Sequence, residues 1–144
     1  MVKLEIKVEE LKPLEPRFKK VAKRTVELTS LELQRNLKML SPVDHGRLQG
    51  SWVIFQTGEL QRTVKSSAKY AIFVNDGTGI YGPRKTPITH PSIGKMFAFQ
   101  VNGRMIFTRQ IKGIKPRKFV ERSMEMTQSR VQEFMIRALM EENS

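Results

Sequence analysis

Val2, Leu4, Ile6 and Val8 alternate with Lys3, Glu5, Lys7 and Glu9, the period-two pattern of a strand with one apolar face. Pro13 and Pro16 stop that pattern, and Pro16 suits the first position of a helix, where its missing N–H is not needed. From Arg17 the period becomes helical. Phe18, Val21, Ala22, Val26, Leu33, Leu37 and Leu40 recur at helical spacings, and Lys19, Lys20, Lys23, Arg24 and Arg35 fall mostly on the other face. The spacing predicts a helix over 16–40, ended by Pro42 and Gly46.

Trp52, Ile54, Leu60, Thr63 and Val64 suggest two strands joined at Thr57-Gly58-Glu59, with the loop type left open. The short apolar run of Tyr70, Ala71, Phe73 and Val74 suits either a strand or a two-turn helix. Between 76 and 95, Gly77, Gly79, Gly82 and Gly94 alternate with Pro83, Pro87 and Pro91, which predicts a long mobile loop. The clearest hairpin is 96–101 and 104–108 around Asn102-Gly103, a pair that tolerates the positive φ angles of a type I′ turn. On such a strand Phe97, Phe99 and Val101 share one face and are core candidates. Pro116 can open a last helix on which Val120, Met124, Val131, Met135 and Ala138 share a face. The order argues for an α+β fold in a single domain, 1–144. It has an antiparallel sheet, with a long N-terminal helix and a C-terminal helix packed against it.

Charge changes this picture. From Gly77 to Val120 the chain runs 44 residues without an Asp or Glu, yet carries nine cations: Arg84, Lys85, Lys95, Arg104, Arg109, Lys112, Lys115, Arg117 and Lys118. Of the formal net charge of +12, residues 1–76 hold +5, 77–120 hold +9 and 121–144 hold −2. So local an excess fits a segment that faces DNA or an acidic partner, as well as a merely solvated surface. Apolar residues are 39% of the chain, low enough for a partner to complete part of the apolar surface. With no cysteine, disulfides and thiolate metal sites are excluded. The N-terminus has no signal-peptide pattern and no run approaches the ~20 apolar residues of a membrane span, so a soluble protein without membrane contact is expected.

Catalytic chemistry finds little support. His45 and His90 are isolated, without the nucleophile and orienting group a dyad needs, and they read as loop residues. No histidines or carboxylates have metal-ligand spacing. Gly77-Thr78-Gly79 lacks the Lys-Ser/Thr ending of a phosphate-binding loop. No enzyme activity, metal or cofactor is expected. Basic residues interleaved with Phe97, Phe99 and Phe107 leave a sequence-non-specific nucleic-acid-binding module as the alternative function.

Three segments carry a resemblance. They are Ser41-Pro42-Val43-Asp44-His45-Gly46-Arg47-Leu48 with Ser51, then Tyr70-Ala71 running into Asn75-Asp76-Gly77-Thr78-Gly79, then Gly113-Ile114-Lys115-Pro116-Arg117-Lys118-Phe119-Val120. In this order, over roughly 17–140, the chain resembles the small tail-completion or neck proteins of long-tailed bacteriophages, also called head–tail joining or minor tail proteins. His45 departs from the Thr that the family usually has before the glycine. Pro42, Asp44, Gly46, Leu48, Tyr70, Gly77, Thr78, Pro116 and Phe119 then take scaffold roles in turns, chain reversals and helix anchoring. The resemblance implies a structural virion protein, an oligomeric ring at the head–tail junction assembled in the host cytoplasm. Its implied partners are copies of itself, neighbouring head-connector and tail proteins, and packaged DNA met non-specifically. The 76–95 loop and the first strand would be its arms toward neighbours.

Overall fold

The computed structural model describes residues 2–9, 14–43 and 46–143; Pro13, Asp44 and His45 lie outside them. The chain forms two compact units, one of residues 1–71 with 119–144, the other of 72–118. Helices and antiparallel sheets alternate along the chain as an α+β fold.

In the first unit, β1 (Lys3–Lys7), β2 (Trp52–Gly58) and β3 (Gln61–Ser66) form an antiparallel sheet in the order β1-β3-β2. Register pairs Leu4 with Val64, and Ile54 with Val64 on the other side, so apolar residues of all three strands share a face. The tight turn at Glu59-Leu60 brings a register shift between Gln56 and Gly58, and Leu60 folds back into the core. Helix α1 (Pro16–Leu40) lies on this sheet, with Pro16 in its first turn as its fixed φ favours. Its buried stripe is Val26, Leu33 and Leu37, whereas Phe18 at the N-terminal end is half exposed. The helix stops at Ser41, whose hydroxyl and N–H both donate to the Leu37 carbonyl. A short helix follows, α2 (Arg47–Gly50), preceded by Gly46 in the left-handed region and burying Leu48.

Two helices, not one, close the chain. They are α4 (Phe119–Gln128) and α5 (Val131–Glu142), and both pack against α1. The break at Ser129-Arg130 resets the helical face. Val120 and Ala138 are buried as expected, but Met124 and Met135 are exposed, and Phe119, Ser123, Thr127 and Phe134 face inward instead. Ser123 and Thr127 tolerate burial because each hydroxyl donates to the carbonyl one turn earlier, and Thr25 and Thr29 of α1 do the same. The α1–α4 seam is thus lined with short, self-satisfied hydroxyls that admit close approach. Asn36 Nδ2 crosses it to Thr127 Oγ1 at 3.0 Å.

Trp52 is the largest fully buried side chain. Its indole N–H donates to Ser41 Oγ at 2.9 Å, and its ring meets Phe119 edge-on at 6.1 Å. Beneath β1 the packing is less complete. Leu4, Ile6 and Val8 stay half-buried over a groove of about 670 Å³ floored by Val26 and Leu33.

Surface ion pairs tie the helices together. Arg130 bridges Glu32 of α1 at 2.8 Å and Glu133 of α5 at 2.9 Å, and Arg24 of α1 reaches Glu141 of α5 at 2.8 Å. The hydrogen bond from Arg24 holds the Glu141 carboxyl below the ordinary carboxylate range, as the one from Arg130 does for Glu133.

The second unit holds α3 (Ala71–Asp76), which begins at the unit boundary, and a 3-10 turn at Gly79–Tyr81. It has two separate two-stranded ribbons, β4 (Ile88–Thr89) with β7 (Gln110–Ile111), and β5 (Phe97–Val101) with β6 (Arg104–Thr108). The apolar run is therefore helical from Ala71 onward. The 76–95 stretch is irregular for most of its length, relieved by the 3-10 turn and β4. Asn102 and Gly103 both have positive φ, 51° and 79°, as a type I′ turn demands.

Trp52→Ala should cost about 3–5 kcal/mol, the usual range for emptying a buried aromatic site, and is checked by chemical denaturation. A depressed carboxyl stabilises the fold above its unfolded-state pKa, and this contribution is lost as pH falls through the folded value. Glu141→Gln should therefore lower the melting temperature slightly at neutral pH. The deficit should vanish when thermal melts are repeated at acid pH, below the ordinary carboxylate range.

Candidate interaction surface

All nine cations singled out above lie within the 72–118 unit, so the charge excess falls on one structural unit. Every one of them is exposed. Arg84 and Lys85 follow the 3-10 turn, Lys95 precedes β5, Arg104 begins β6 beside the hairpin turn, Arg109 lies between β6 and β7, and Lys112 follows β7. Lys115 sits over the Tyr81 ring at 5.8 Å. Asp76 is the unit's one carboxylate, and it pairs with Lys118 at 3.6 Å. Arg84, Lys85, Lys95, Arg104, Arg109 and Lys112 have no acidic partner among the described residues. Nine cations against one carboxylate leave a strongly positive local field.

What holds this unit together is backbone approach rather than a core. The segment 77–82 crosses 112–116 so closely that the Thr78 N–H donates to the Ile114 carbonyl at 3.0 Å and the Ile80 N–H to the Lys112 carbonyl at 2.8 Å. Thr78 Oγ1 accepts from the Ile114 N–H at 3.0 Å. A Cβ on Gly79 would overlap the Lys112 carbonyl, and one on Gly113 would overlap the Thr78 carbonyl, while both residues also have positive φ. Gly77 faces the same crossing, where a Cβ would come within 2.9 Å of Pro116 N.

The expected helix opening at Pro116 is corrected by the same region. The Arg117 and Lys118 N–H groups donate to the Val74 and Asn75 carbonyls, filling acceptors that the end of α3 leaves open, and Lys118 takes a φ of 52°. The helix can start only afterwards, at Phe119, which is fully buried. Of the other scaffold positions, Leu48 is in the core, Gly46 has a φ of 72°, Pro42 is half-buried and Tyr70 is exposed.

The expectation that Phe97, Phe99 and Val101 are core residues is overturned. Phe97 is half-buried, touching only the His90 ring at 5.0 Å among aromatic contacts of the described residues, and Phe99 and Val101 are exposed. Register puts Phe99 opposite Ile106 on one face of the ribbon, and Ala98 opposite Phe107 on the other. Both faces are therefore apolar and both are open: Phe99 is 41% exposed, Met105 56% and Phe107 63%. The signal was present in the sequence, since Met96-Phe97-Ala98-Phe99 and Met105-Ile106-Phe107 lack the polar alternation of a half-buried strand. His90 is a loop residue whose Nδ1 accepts from the Ser92 N–H. A cleft of about 620 Å³ lies between α3 and the 82–89 segment, lined by Ile72, Phe73, Pro87 and Ile88 with Arg84 at its edge.

The surface offers apolar area and unbalanced positive charge, the means of holding a partner. In the other unit, β1 is an edge strand whose outer side has no strand partner among the described residues. No helix is long and apolar enough to cross a membrane among those residues. Residues 3–77 match the model of the HK97-gp10-like family, described as "Bacteriophage HK97-gp10, putative tail-component". No curated protein and no solved structure matches the chain.

Gly79→Ala should break the 77–82/112–116 crossing, since both the steric overlap and the positive φ oppose it, at a cost of about 3 kcal/mol or more. Amide spectra should lose the dispersed signals of 72–118 while those of the first unit persist.

Proposed function

This chain belongs to the HK97-gp10-like family of bacteriophage tail components, and on that ground we propose that it acts as a tail-completion or head–tail joining adaptor, assembled as a ring at the neck of the virion. The carrying observation is the 72–118 unit, with its two-faced apolar ribbon and six cations that have no acidic partner among the described residues. Such a surface is suited to being covered. A ring needs a heterologous interface that closes, and an adaptor needs a face for the layers above and below. In this reading the whole chain acts as one neck-like domain. Its turn and crossing glycines set the frame, its role is structural rather than catalytic, and β1 adds to a neighbour's sheet edge.

The basic unit faces either packaged DNA or acidic patches on head-connector and tail proteins. Phosphate contacts made by Arg84, Lys85 and Lys95 would be non-specific and salt-sensitive, which suits DNA that must later move. The same six cations are the observation that favours the second reading, a stand-alone nucleic-acid-binding module.

Imaging of the parent virion by cryo-electron microscopy should find a ring of this chain at the head–tail junction; absence from mature particles would sink the adaptor. The combined Arg84→Ala, Lys85→Ala and Lys95→Ala chain should reduce infectious yield about tenfold, the scale of losing a few surface contacts. Unchanged yield would remove these residues from the interface. Binding of DNA by the isolated wild-type chain that weakens steeply with salt, with no ring in particles, would favour the module.

A further inference from the structure

Resting on the reading that β1 joins a neighbour's sheet, we propose that the neighbour is a second copy of this chain. The strand it contributes is its own β1, antiparallel, with Ile6 opposite Ile6.

The main chain decides which groups are on offer. The Val8 N–H donates to the Leu60 carbonyl at 3.0 Å, and the Ser66 N–H donates to the Val2 carbonyl at 3.2 Å. Bonded and non-bonded pairs alternate along an antiparallel ladder, so Val2, Leu4, Ile6 and Val8 turn their N–H and C=O groups toward β3. Those of Lys3, Glu5, Lys7 and Glu9 point to the open edge, where no strand meets them among the described residues. A second antiparallel β1 must therefore set odd-numbered residues opposite odd-numbered ones. The apolar side of the same edge is underfilled. Leu4, Ile6 and Val8 are half-buried over the groove floored by Val26 and Leu33, which Met124, 40% exposed, also lines. An added strand would extend the apolar face beside that groove.

Charge picks out β1 itself as the occupant. From Lys3 to Glu9 the charges run Lys, Glu, Lys, Glu, a neutral stretch in a chain of net charge +12. With Ile6 opposite Ile6, Lys3 faces Glu9 of the second copy, Glu5 faces its Lys7, and Leu4 faces its Val8. A slip of two residues either way sets like charges opposite, and a slip of four halves the number of Lys–Glu pairs. Lys3 already meets Glu5 at 3.3 Å, and Lys7 meets Glu9 at 3.1 Å. Those pairs persist in the double strand, because an ammonium has three donors and the four side chains are between 42% and 73% exposed. Charge here fixes register, whereas the attraction comes from the open main-chain groups and the groove. The contact is isologous and closes on itself, so ring closure is left to another surface.

The chain has no cysteine, so single cysteines report the register. The variants are oxidised at up to about 1 mM, where even weak association is populated. Ile6→Cys should form a disulfide-linked pair, since facing residues of this kind lie about 4.5 Å apart, within disulfide reach. Leu4→Cys and Val8→Cys should each stay unlinked alone, their like positions being about 13 Å apart, and should link when mixed. Circular dichroism verifies that each variant folds. In sedimentation equilibrium the wild-type chain should pair. A chain with Lys3→Glu and Lys7→Glu, and one with Glu5→Lys and Glu9→Lys, should each pair about tenfold more weakly, and mixing the two should restore pairing. A wild-type chain that stays monomeric overturns the proposal, as does one that pairs while folded Ile6→Cys fails to link. Linkage of Ile6→Cys to a different virion protein in place of a second copy overturns it too. If pairing is missing while imaging places the chain in the neck, this contact is refuted and the adaptor stands. Pairing by a chain that is absent from particles refutes the adaptor and upholds the contact.

Discussion

The first unit depends on the burial of one indole. Trp52 begins β2, yet its N–H reaches Ser41 at the end of α1 and its ring edge meets Phe119 at the start of α4. Three segments distant in sequence are fixed by one side chain that combines a large apolar area with a single polar group. The donor is satisfied by a hydroxyl that also donates to the last turn of α1.

Much of this was legible in the residue pattern. Alternation at Val2–Val8, the 3.6-residue period from Phe18 to Leu40 and the Asn102-Gly103 turn are local signals, and each corresponds to an observed element. The C-terminal helix was harder, because the burial of Ser123 and Thr127 rests on hydroxyls bonding back to their own helix, and hydropathy does not register that. A face drawn through Met124 and Met135 followed apolarity alone and pointed outward. Pro116 misled for another reason. Its helix-opening geometry was available, but the following N–H groups were already committed to another element, a non-local competition no window of sequence contains.

The candidate surface was legible as charge and illegible as shape. Nine cations in an acid-free run marked the segment, and all nine turned out to lie in one structural unit. Its frame is a crossing of two backbones at Gly77, Gly79 and Gly113, which hold the place that side-chain packing holds elsewhere. Glycines read from sequence suggested looseness. Here they permit a close approach of two backbones, and the absence of side chains is what allows the crossing. With order supplied by the main chain, the unit's apolar side chains need not be spent on a core, and they stand on the ribbon instead.

That arrangement has a cost that the charge offsets. The outer edges of β5 and β6 have no strand partners among the described residues, and a two-faced apolar ribbon with open edges is a template for runaway sheet growth between identical chains. Cationic side chains around the turn and both flanks make each ribbon repel its like at distances of about a Debye length, ~8 Å at physiological salt. The same cations that mark this segment therefore set repulsion between like ribbons against the apolar side chains that the ribbon leaves in plain view.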